Sequence, residues 1–336
     1  MASGNNEISA EEFAQYDRQI RLWGLDAQKR LRKANVLVAG IGGLGSEVVK
    51  NIVLAGIDSI TLLDDRVVTE EDLFSQLLVT PDDIGKNLAE ASKPRTQELN
   101  PNVTVIVDVE PLAEKQETFF EKFDVVCCTC CTASTRIKIN NICRKMNVKF
   151  FCGDVYGFYG YCFADLKDHE FVEEVEVKKS NDQNEPSNKK RKLEKDTVSV
   201  LKAVKHCSYE ESLKEDWSKR SRRSLRQSSQ VFFILQIIDN FRKQFDCLPQ
   251  LNEDNSESLK KIKEEVLLKF GVNSNFVNDN FTNFCCSALS PICAIVGGVL
   301  GQEVIKVISK KDAPHENYFF FDGTNHSGVV DNICSK

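Results

Sequence analysis

The stretch NVLVAGIGGLG (residues 35–45) places a glycine-rich turn directly after a short apolar run. The apolar residues predict a buried strand, and the helical pattern from Ser46 to Ala55 predicts that the turn leads into a helix. This order of strand, turn and helix is typical of a phosphate-binding loop, because the glycines permit a tight turn and the helix offers free backbone N–H groups to an anion. The candidate binding glycines are Gly40, Gly42, Gly43 and Gly45.

Asp64 is the second candidate binding position. It ends another apolar run, residues 59–63, and an acidic residue at this place can hydrogen-bond the ribose of a nucleotide. The loop and Asp64 together fit three kinds of protein: a dehydrogenase, an adenylating enzyme, or a fold that has kept its loop and lost its ligand.

Strand and helix patterns alternate from residue 35 onward. Strands are predicted at 35–40, 59–64, 103–109, 124–131 and 148–153, with a further strand or hairpin at 157–165. Helices are predicted near residue 10 and at 44–55, 86–99, 114–122 and 133–147. Such alternation indicates right-handed βαβ units, and so an α/β, Rossmann-like fold with a mostly parallel sheet and helices on both faces.

The composition divides the chain into four parts. Residues 1–177 form the first part of the α/β domain, and 178–197 form a polar, charged loop that we expect to be disordered. Residues 198–284, with helical patterns near 228–246 and 256–270, form a small inserted module. Residues 285–336 return to the domain with an apolar helix and a strand.

The charge and hydropathy of the chain argue against two kinds of partner. A net charge of −6 over 336 residues does not suit a nucleic-acid-binding surface. No apolar stretch approaches the roughly 20 residues that span a bilayer, so we expect no membrane partner.

The basic run Lys189-Lys190-Arg191-Lys192 has a charge opposite in sign to that of the whole chain. It is either a solvated loop or a nuclear import signal, and we expect a nuclear protein that is also found in the cytoplasm.

The 13 cysteines raise the question of a metal site. Four of them lie in the run CCTCC (residues 127–131), which contains the spacing CxxC twice. A zinc site needs four converging ligands, and no second pair has suitable spacing. The run also continues an apolar strand, where free cysteine behaves as a small buried hydrophobe. We therefore predict core cysteines and no metal.

Several segments of the chain resemble the activating enzymes for ubiquitin-like modifiers, the ThiF/MoeB-like superfamily. The shared segments are YDRQIRLWG (16–24), GIGGLGSE (40–47), GDVYGFYGYCFADL (153–166), HEFVEE (169–174), ICAIVGGVLGQEVIK (292–306) and NYFFFDG (317–323). The first two are common to the superfamily. Two further features narrow the resemblance to the smaller subunits of the SUMO branch. They are the length of the chain and the sequences of the segments 153–174 and 317–323.

The resemblance also implies that this chain has lost its own nucleotide chemistry. The family's phosphate-contacting arginine is absent from residues 69–77, its lysine is replaced by Leu88, and its magnesium-supporting aspartate aligns with Cys131. Magnesium prefers oxygen ligands to thiols. The resemblance therefore implies that ATP and Mg²⁺ are bound by a larger, catalytic partner subunit and that this chain binds no cofactor, its glycine loop being degenerate.

By the same resemblance, Arg18 contacts the γ-phosphate of ATP in the partner subunit. Arginine suits this role because its charge is permanent and its donors form a planar fork. The family's thioester cysteine has no counterpart here: Cys207, Cys247 and Cys293 lack its usual surroundings, and the inserted module looks like a remnant of the domain that carries it. The implied function is that of an obligatory regulatory subunit, which meets SUMO through the heterodimer.

Three alternatives remain open. The chain could serve the activating enzyme of another ubiquitin-like modifier, or it could be a self-sufficient ThiF/MoeB-like adenylating enzyme. It could also be a nicotinamide-dependent oxidoreductase, although its four histidines lie in polar surroundings and no positioned catalytic pair is evident.

Overall fold

The computed structural model describes residues 9–177 and 196–334. An eight-stranded sheet, in the order β10-β9-β6-β5-β4-β1-β2-β3, forms the centre of the molecule. Its strands are β1 (Asn35–Ala39), β2 (Ser59–Leu63), β3 (Thr104–Asp108), β4 (Val125–Thr129), β5 (Lys149–Tyr156), β6 (Tyr159–Asp165), β9 (Tyr318–Asp322) and β10 (Ser327–Asp331). A separate antiparallel ribbon pairs β7 (Asp168–Val177) with β8 (Asp196–Lys205).

Strands β1 to β5 are parallel to one another, and β6, β9 and β10 extend the sheet in antiparallel fashion. The longer helices are α1 (Ala10–Trp23), α2 (Leu25–Leu31), α3 (Gly43–Leu54), α4 (Leu88–Leu99), α5 (Ala133–Met146), α8 (Val231–Phe245), α9 (Glu253–Lys269) and α10 (Ser290–Ser309). Short helices α6 (Tyr209–Ser212) and α7 (Arg222–Gln227) precede α8.

Two hydrophobic cores lie on opposite faces of the sheet. Successive side chains of β1 point into different cores. Leu37 faces the core that contains α5, α8 and α9, whereas Val38 faces the core of α3 and α10. A strand buried on both faces reads as a continuous apolar run because each side chain meets a helix. The predicted α/β fold with helices on both faces is confirmed.

Two predicted elements differ from the structure. The helix predicted at 114–122 is a pair of 3₁₀ segments, Leu112–Glu114 and Glu117–Lys122. The three-residue period of a 3₁₀ turn places Phe120 and Phe123 on one side, where both are buried. The strand predicted to reach residue 131 ends at Thr129, because Cys130 adopts a left-handed conformation with φ of 57° that turns the chain out of the sheet.

Half of the cysteine run lies in the core, since Cys127 and Cys128 are buried in β4, whereas Cys130 and Cys131 are half-buried beyond its end. Cys127 and Cys128 are buried on opposite faces of β4, one in each hydrophobic core, so their thiols cannot converge on one ion. Within residues 9–177 and 196–334, no group of three or more histidine, cysteine or acidic side chains is arranged to hold a metal.

Helix α10 is more apolar than we expected from the sequence. Its 20 residues, with a mean hydropathy of 1.7, are long and apolar enough to cross a membrane by length and composition. The helix packs against α3 and the sheet, however, and 61% of the apolar window is buried inside the protein. A core helix has this same composition, because it is surrounded by apolar side chains on most sides.

The helices of the predicted inserted module pack on the sheet. Patterns near 228–246 and 256–270 correspond to α8 and α9, which are confirmed, and Phe232 of α8 contacts the rings of Tyr318 and Phe320. These helices share a core with the sheet, and the predicted boundary at residue 198 falls inside β8.

Most of the loop predicted at 178–197 lies outside the described residues. This applies to residues 178–195, which include the basic run 189–192. Its role in nuclear import stays a prediction.

Candidate functional site

The glycine loop joins β1 to α3 at the carboxyl edge of the sheet. Gly40 has φ of 88°, and a Cβ atom on it would lie 2.2 Å from the carbonyl oxygen of Thr129. A Cβ atom on Gly45 would lie 1.9 Å from the carbonyl oxygen of Gly40. The Thr129 hydroxyl donates to that same oxygen at 2.5 Å. Backbone packing inside this chain therefore requires both glycines, whether or not a ligand is bound.

Asp64 is fully engaged by its own chain. The carboxylate is 3% exposed and accepts from the backbone N–H of Ile41, in the glycine loop, at 2.7 Å. It also accepts from the Arg66 backbone N–H at 3.0 Å and from the Arg66 guanidinium at 3.2 Å. Both oxygens are used, so a ribose hydroxyl would have to compete with the loop and with Arg66.

Arg66 is a residue that the sequence analysis missed. Its Nη2 would lie 3.6 Å from a Cβ atom on Gly42, so the guanidinium lies over the glycine loop. The one sequence signal is its position, two residues after an acidic strand end, where Arg66 can reach back to Asp64. A second carboxylate, that of Asp72, lies 3.8 Å from Arg66.

A cleft of about 520 Å³ opens beside the loop. Gly42, Gly43, Arg66 and Arg242 contribute to its lining, with the exposed ring of Phe74 at 80% exposure. Volumes of this order hold small molecules or peptide segments in many proteins. The cleft is therefore large enough for a ligand, and its chemistry decides which ligand it suits.

Asp154 is the buried titratable group of this cleft. Its carboxylate accepts from the backbone N–H of Cys130 and from the Tyr156 hydroxyl, both at 3.2 Å. Burial raises the pKa of Asp154 to about 6, although the positive charges of Arg136 and Arg242 act in the opposite direction. Near neutral pH this carboxylate therefore adds negative charge to a cleft that Glu71 and Asp72 also line.

The positions where related enzymes hold phosphates and magnesium carry other chemistry here. In the stretch where the family's arginine is expected, Ser75 lies against the glycine loop. Its Oγ would be 2.8 Å from a Cβ atom on Gly43. Leu88 is completely buried in the core, and the Cys131 thiol donates to the carbonyl oxygen of Thr129 at 3.2 Å. Lys86 pairs with Asp83 at 2.8 Å. This set of donors does not fit a magnesium–triphosphate group.

Arg18 lies far from this chain's glycine loop. Its neighbour Gln19 donates to the carbonyl oxygen of Leu54, at the carboxyl end of α3, whereas the loop is at the amino end. The 12 residues of α3 separate the two by roughly 18 Å. The Arg18 side chain is exposed and makes no hydrogen bond or ion pair within the described part of the chain, whereas Arg21 pairs with Asp17 at 2.9 Å. The structure does not bring Arg18 and the loop together.

The three cysteines considered for thioester chemistry have different surroundings. Cys293 is completely buried in α10, and burial raises the pKa of its thiol to about 12. Cys207 is 9% exposed and accepts a hydrogen bond from Asn317 at 3.4 Å. Cys247 is exposed, just beyond the end of α8. A nucleophilic thiolate needs an accessible site with a lowered pKa, which neither Cys207 nor Cys293 has.

Comparison with known proteins agrees with this description. Residues 16–335 match the model of the ThiF family. The chain is 47% identical over 337 residues to the SUMO-activating enzyme subunit 1 of Danio rerio, covering 98% of this chain and 97% of the relative. It is 46% identical to that of Xenopus tropicalis over 98% of both chains, and 45% identical to that of Homo sapiens over 98% and 97%.

A solved structure supports the fold independently. The crystal structure of Escherichia coli MccB with succinimide has a TM-score of 0.57 over 99% of this chain and 74% of its own. At 15% identity this likeness concerns the fold alone. The resemblance inferred from the sequence is confirmed by the family match and by the relatives. The chain belongs to the ThiF family, and within it to the group of the SUMO-activating enzyme subunit 1 proteins.

Proposed function

We propose that this chain is the smaller, obligatory subunit of a heterodimeric SUMO-activating enzyme. The observation that carries the proposal is 45–47% identity to proteins of that name over nearly their whole length. In this function the heterodimer uses ATP to adenylate the carboxyl terminus of SUMO and then forms a thioester on the partner subunit.

In the proposed division of labour, the larger subunit binds ATP and Mg²⁺, and this chain binds neither. The engagement of Asp64 by Ile41 and Arg66 supports this division, because the ribose position is already used. The carboxylates of Glu71, Asp72 and Asp154 outnumber the guanidiniums of Arg66 and Arg242 in the cleft, so the lining offers a triphosphate no net positive charge, which also supports this division.

The chemical contribution of this chain is then the guanidinium of Arg18, delivered to the partner's ATP. When the SUMO carboxylate attacks the α-phosphate, negative charge develops on the departing pyrophosphate, and a fixed cation at the γ-phosphate stabilises it. The absence of any partner for Arg18 in the described chain supports this role, because no internal ion pair has to break before the arginine reaches another subunit.

The test is SUMO-dependent exchange between ATP and pyrophosphate. We expect the purified chain alone to show no exchange, and the mixture with the larger subunit to show full exchange. Ubiquitin and NEDD8 in place of SUMO serve as specificity controls and should give only background. Exchange by the isolated chain at the rate of the heterodimer would contradict the proposal and favour a self-sufficient adenylating enzyme. Exchange with NEDD8 instead of SUMO would assign the chain to another modifier.

A further inference from the structure

A second cavity, of about 360 Å³, lies at the opposite edge of the sheet from the glycine loop. It is bordered by the amino ends of β1, β4 and β5 and by the last turn of α10. The strands between the two edges are five to eight residues long, so the cavity is roughly 17 Å or more from the loop. It is therefore a separate place on the molecule.

Four cationic side chains line this cavity, in a chain whose net charge is −6. They are Arg30, Lys33, Lys149 and Lys310. Two carboxylates, those of Glu121 and Asp124, also belong to the lining, so the formal charge of the cavity is two positive units when its histidine is neutral. The sign of the local charge is thus opposite to that of the whole protein.

The four cations are not held in direct ion pairs. Within the described part of the chain, none of the four forms an ion pair with a carboxylate. Arg30 Nε donates to the carbonyl oxygen of Ser309 at 2.7 Å, and Lys149 Nζ donates to those of Leu166 and Asp168 at 2.6 and 2.9 Å. These bonds to neutral acceptors orient the Arg30 and Lys149 side chains without cancelling their charges.

His169 forms the buried wall of the cavity. Its side chain is 3% exposed, and Nε2 has no hydrogen-bond partner among the described residues. Burial lowers the pKa of His169 to about 4, and the positive charges of Lys149, Lys310 and His206 act in the same direction. A buried ring nitrogen without a partner is costly, and this ring lies in the cavity wall beside cations that form no ion pair.

We propose that this cavity is a binding site for a small, multiply charged oxyanion of the phosphate class. Arg30, Lys33 and Lys310 are exposed and attract the anion. The half-buried Lys149 completes the set of cations, and the His169 ring lies in the wall beside them. Charged donors to phosphate oxygens form strong hydrogen bonds. The cavity is near the lower end of the volume range of small-molecule sites, which suits an anion of one or two phosphate groups.

Titration calorimetry of the full chain with inorganic pyrophosphate, without magnesium and at low salt, tests the proposal. We expect saturable binding at one site. The double substitution Lys33→Glu and Lys310→Glu should weaken it roughly tenfold or more, because each reversal replaces an attraction with a repulsion. The matched control is Lys260→Glu with Lys261→Glu on α9, which changes the net charge by the same amount on a helix that does not line the cavity, and it should leave the affinity within about twofold.

NMR of the histidine rings supplies a readout at the site itself. Bound pyrophosphate should raise the pKa of His169, since added negative charge stabilises the imidazolium, and this shift should be absent in the Lys33/Lys310 variant. The proposal is overturned if pyrophosphate causes no saturable response, or if the α9 control weakens binding equally. Loss of binding in Arg66→Gln instead would assign the anion to the glycine-loop cleft. Retention on anionic lipid vesicles, with no response to free pyrophosphate, would indicate a membrane contact and also refute the proposal.

Discussion

Arg18 and Asp64 illustrate how differently two candidate residues behave in the folded chain. Asp64 looked like a ligand-binding carboxylate, and the structure gives it internal partners on both oxygens. The resemblance assigned Arg18 to the γ-phosphate of the partner's ATP, and the exposed Arg18 side chain has no hydrogen-bond or ion-pair partner in the described chain. At the scale of single residues, Arg18 is the better candidate for contact with another molecule, because the Asp64 carboxylate already has its partners inside the chain.

The first prediction concerns Arg18→Ala in the heterodimer with the larger subunit. The rate of SUMO-dependent exchange should fall about a hundredfold, as is typical when one donor to a developing anion is removed. Assembly measured by size-exclusion chromatography should be unchanged. Arg21→Ala is the matched control on the same helix, because Arg21 already pairs with Asp17. An unchanged exchange rate in Arg18→Ala would remove this residue from the mechanism.

The glycine loop shows how far sequence reasoning extends at the scale of an element. The loop, its strand and its helix were predicted correctly because each depends on residues close together in the chain. The reason why the loop requires its glycines was harder to anticipate from the sequence. Gly40 and Gly45 are required by contacts with Thr129 and with each other, so a glycine fingerprint by itself does not establish a bound ligand.

The second prediction tests this structural role with Gly45→Ala. A methyl group would lie 1.9 Å from the Gly40 carbonyl oxygen, so the loop must move, at a cost of about 1–3 kcal/mol in the free energy of unfolding. Urea denaturation should show a lower midpoint with an unchanged slope.

Gly298→Ala in α10 is the matched control for the loop substitution. No heavy atom lies within 4 Å of a Cβ atom on Gly298, and alanine favours a helix by about 1 kcal/mol over glycine. The control should therefore be as stable as the parent chain or more so. Equal stability of Gly45→Ala and the parent chain would contradict the requirement for glycine in the loop.

At the scale of the whole molecule, a buried ion pair joins the segment between the ribbon and α10 to the rest of the fold. Arg136 on α5 is 1% exposed and hydrogen-bonds Asp239 on α8 and the Tyr161 hydroxyl on β6. Because α8 and α9 also share a core with the sheet, we expect these parts to unfold together.

The third prediction is that Asp239→Ala lowers the free energy of unfolding by about 3–5 kcal/mol, since it leaves the guanidinium of Arg136 buried without its counter-charge. A double variant, Arg136→Met with Asp239→Leu, should recover much of the loss because no charge remains buried. Urea denaturation followed by tryptophan fluorescence and by circular dichroism should give coincident transitions. Separate transitions, or an undiminished stability of Asp239→Ala, would indicate a segment that folds independently.

The sequence by itself determined the fold class, most of the strands, the helices α8 and α9, and the glycine loop. These features depend on hydrophobic period, capping and turn residues, which act over a few neighbouring positions. The failures were also local in origin: the 3₁₀ segments at 112–122 and the turn at Cys130 replaced a predicted helix and the end of a predicted strand. In both places the packing of the segment against the sheet outweighed the secondary-structure preference of its own residues.

Only the tertiary structure decided what surrounds the candidate sites. It placed Arg66 over the glycine loop, and it gathered Lys33, Lys149, His169 and Lys310 around one cavity. The last four are separated by up to 277 residues along the chain, and no sequence period relates them. Their meeting depends on which strands begin at the same edge of the sheet, and that order is set by strand pairing and crossover connections among distant segments.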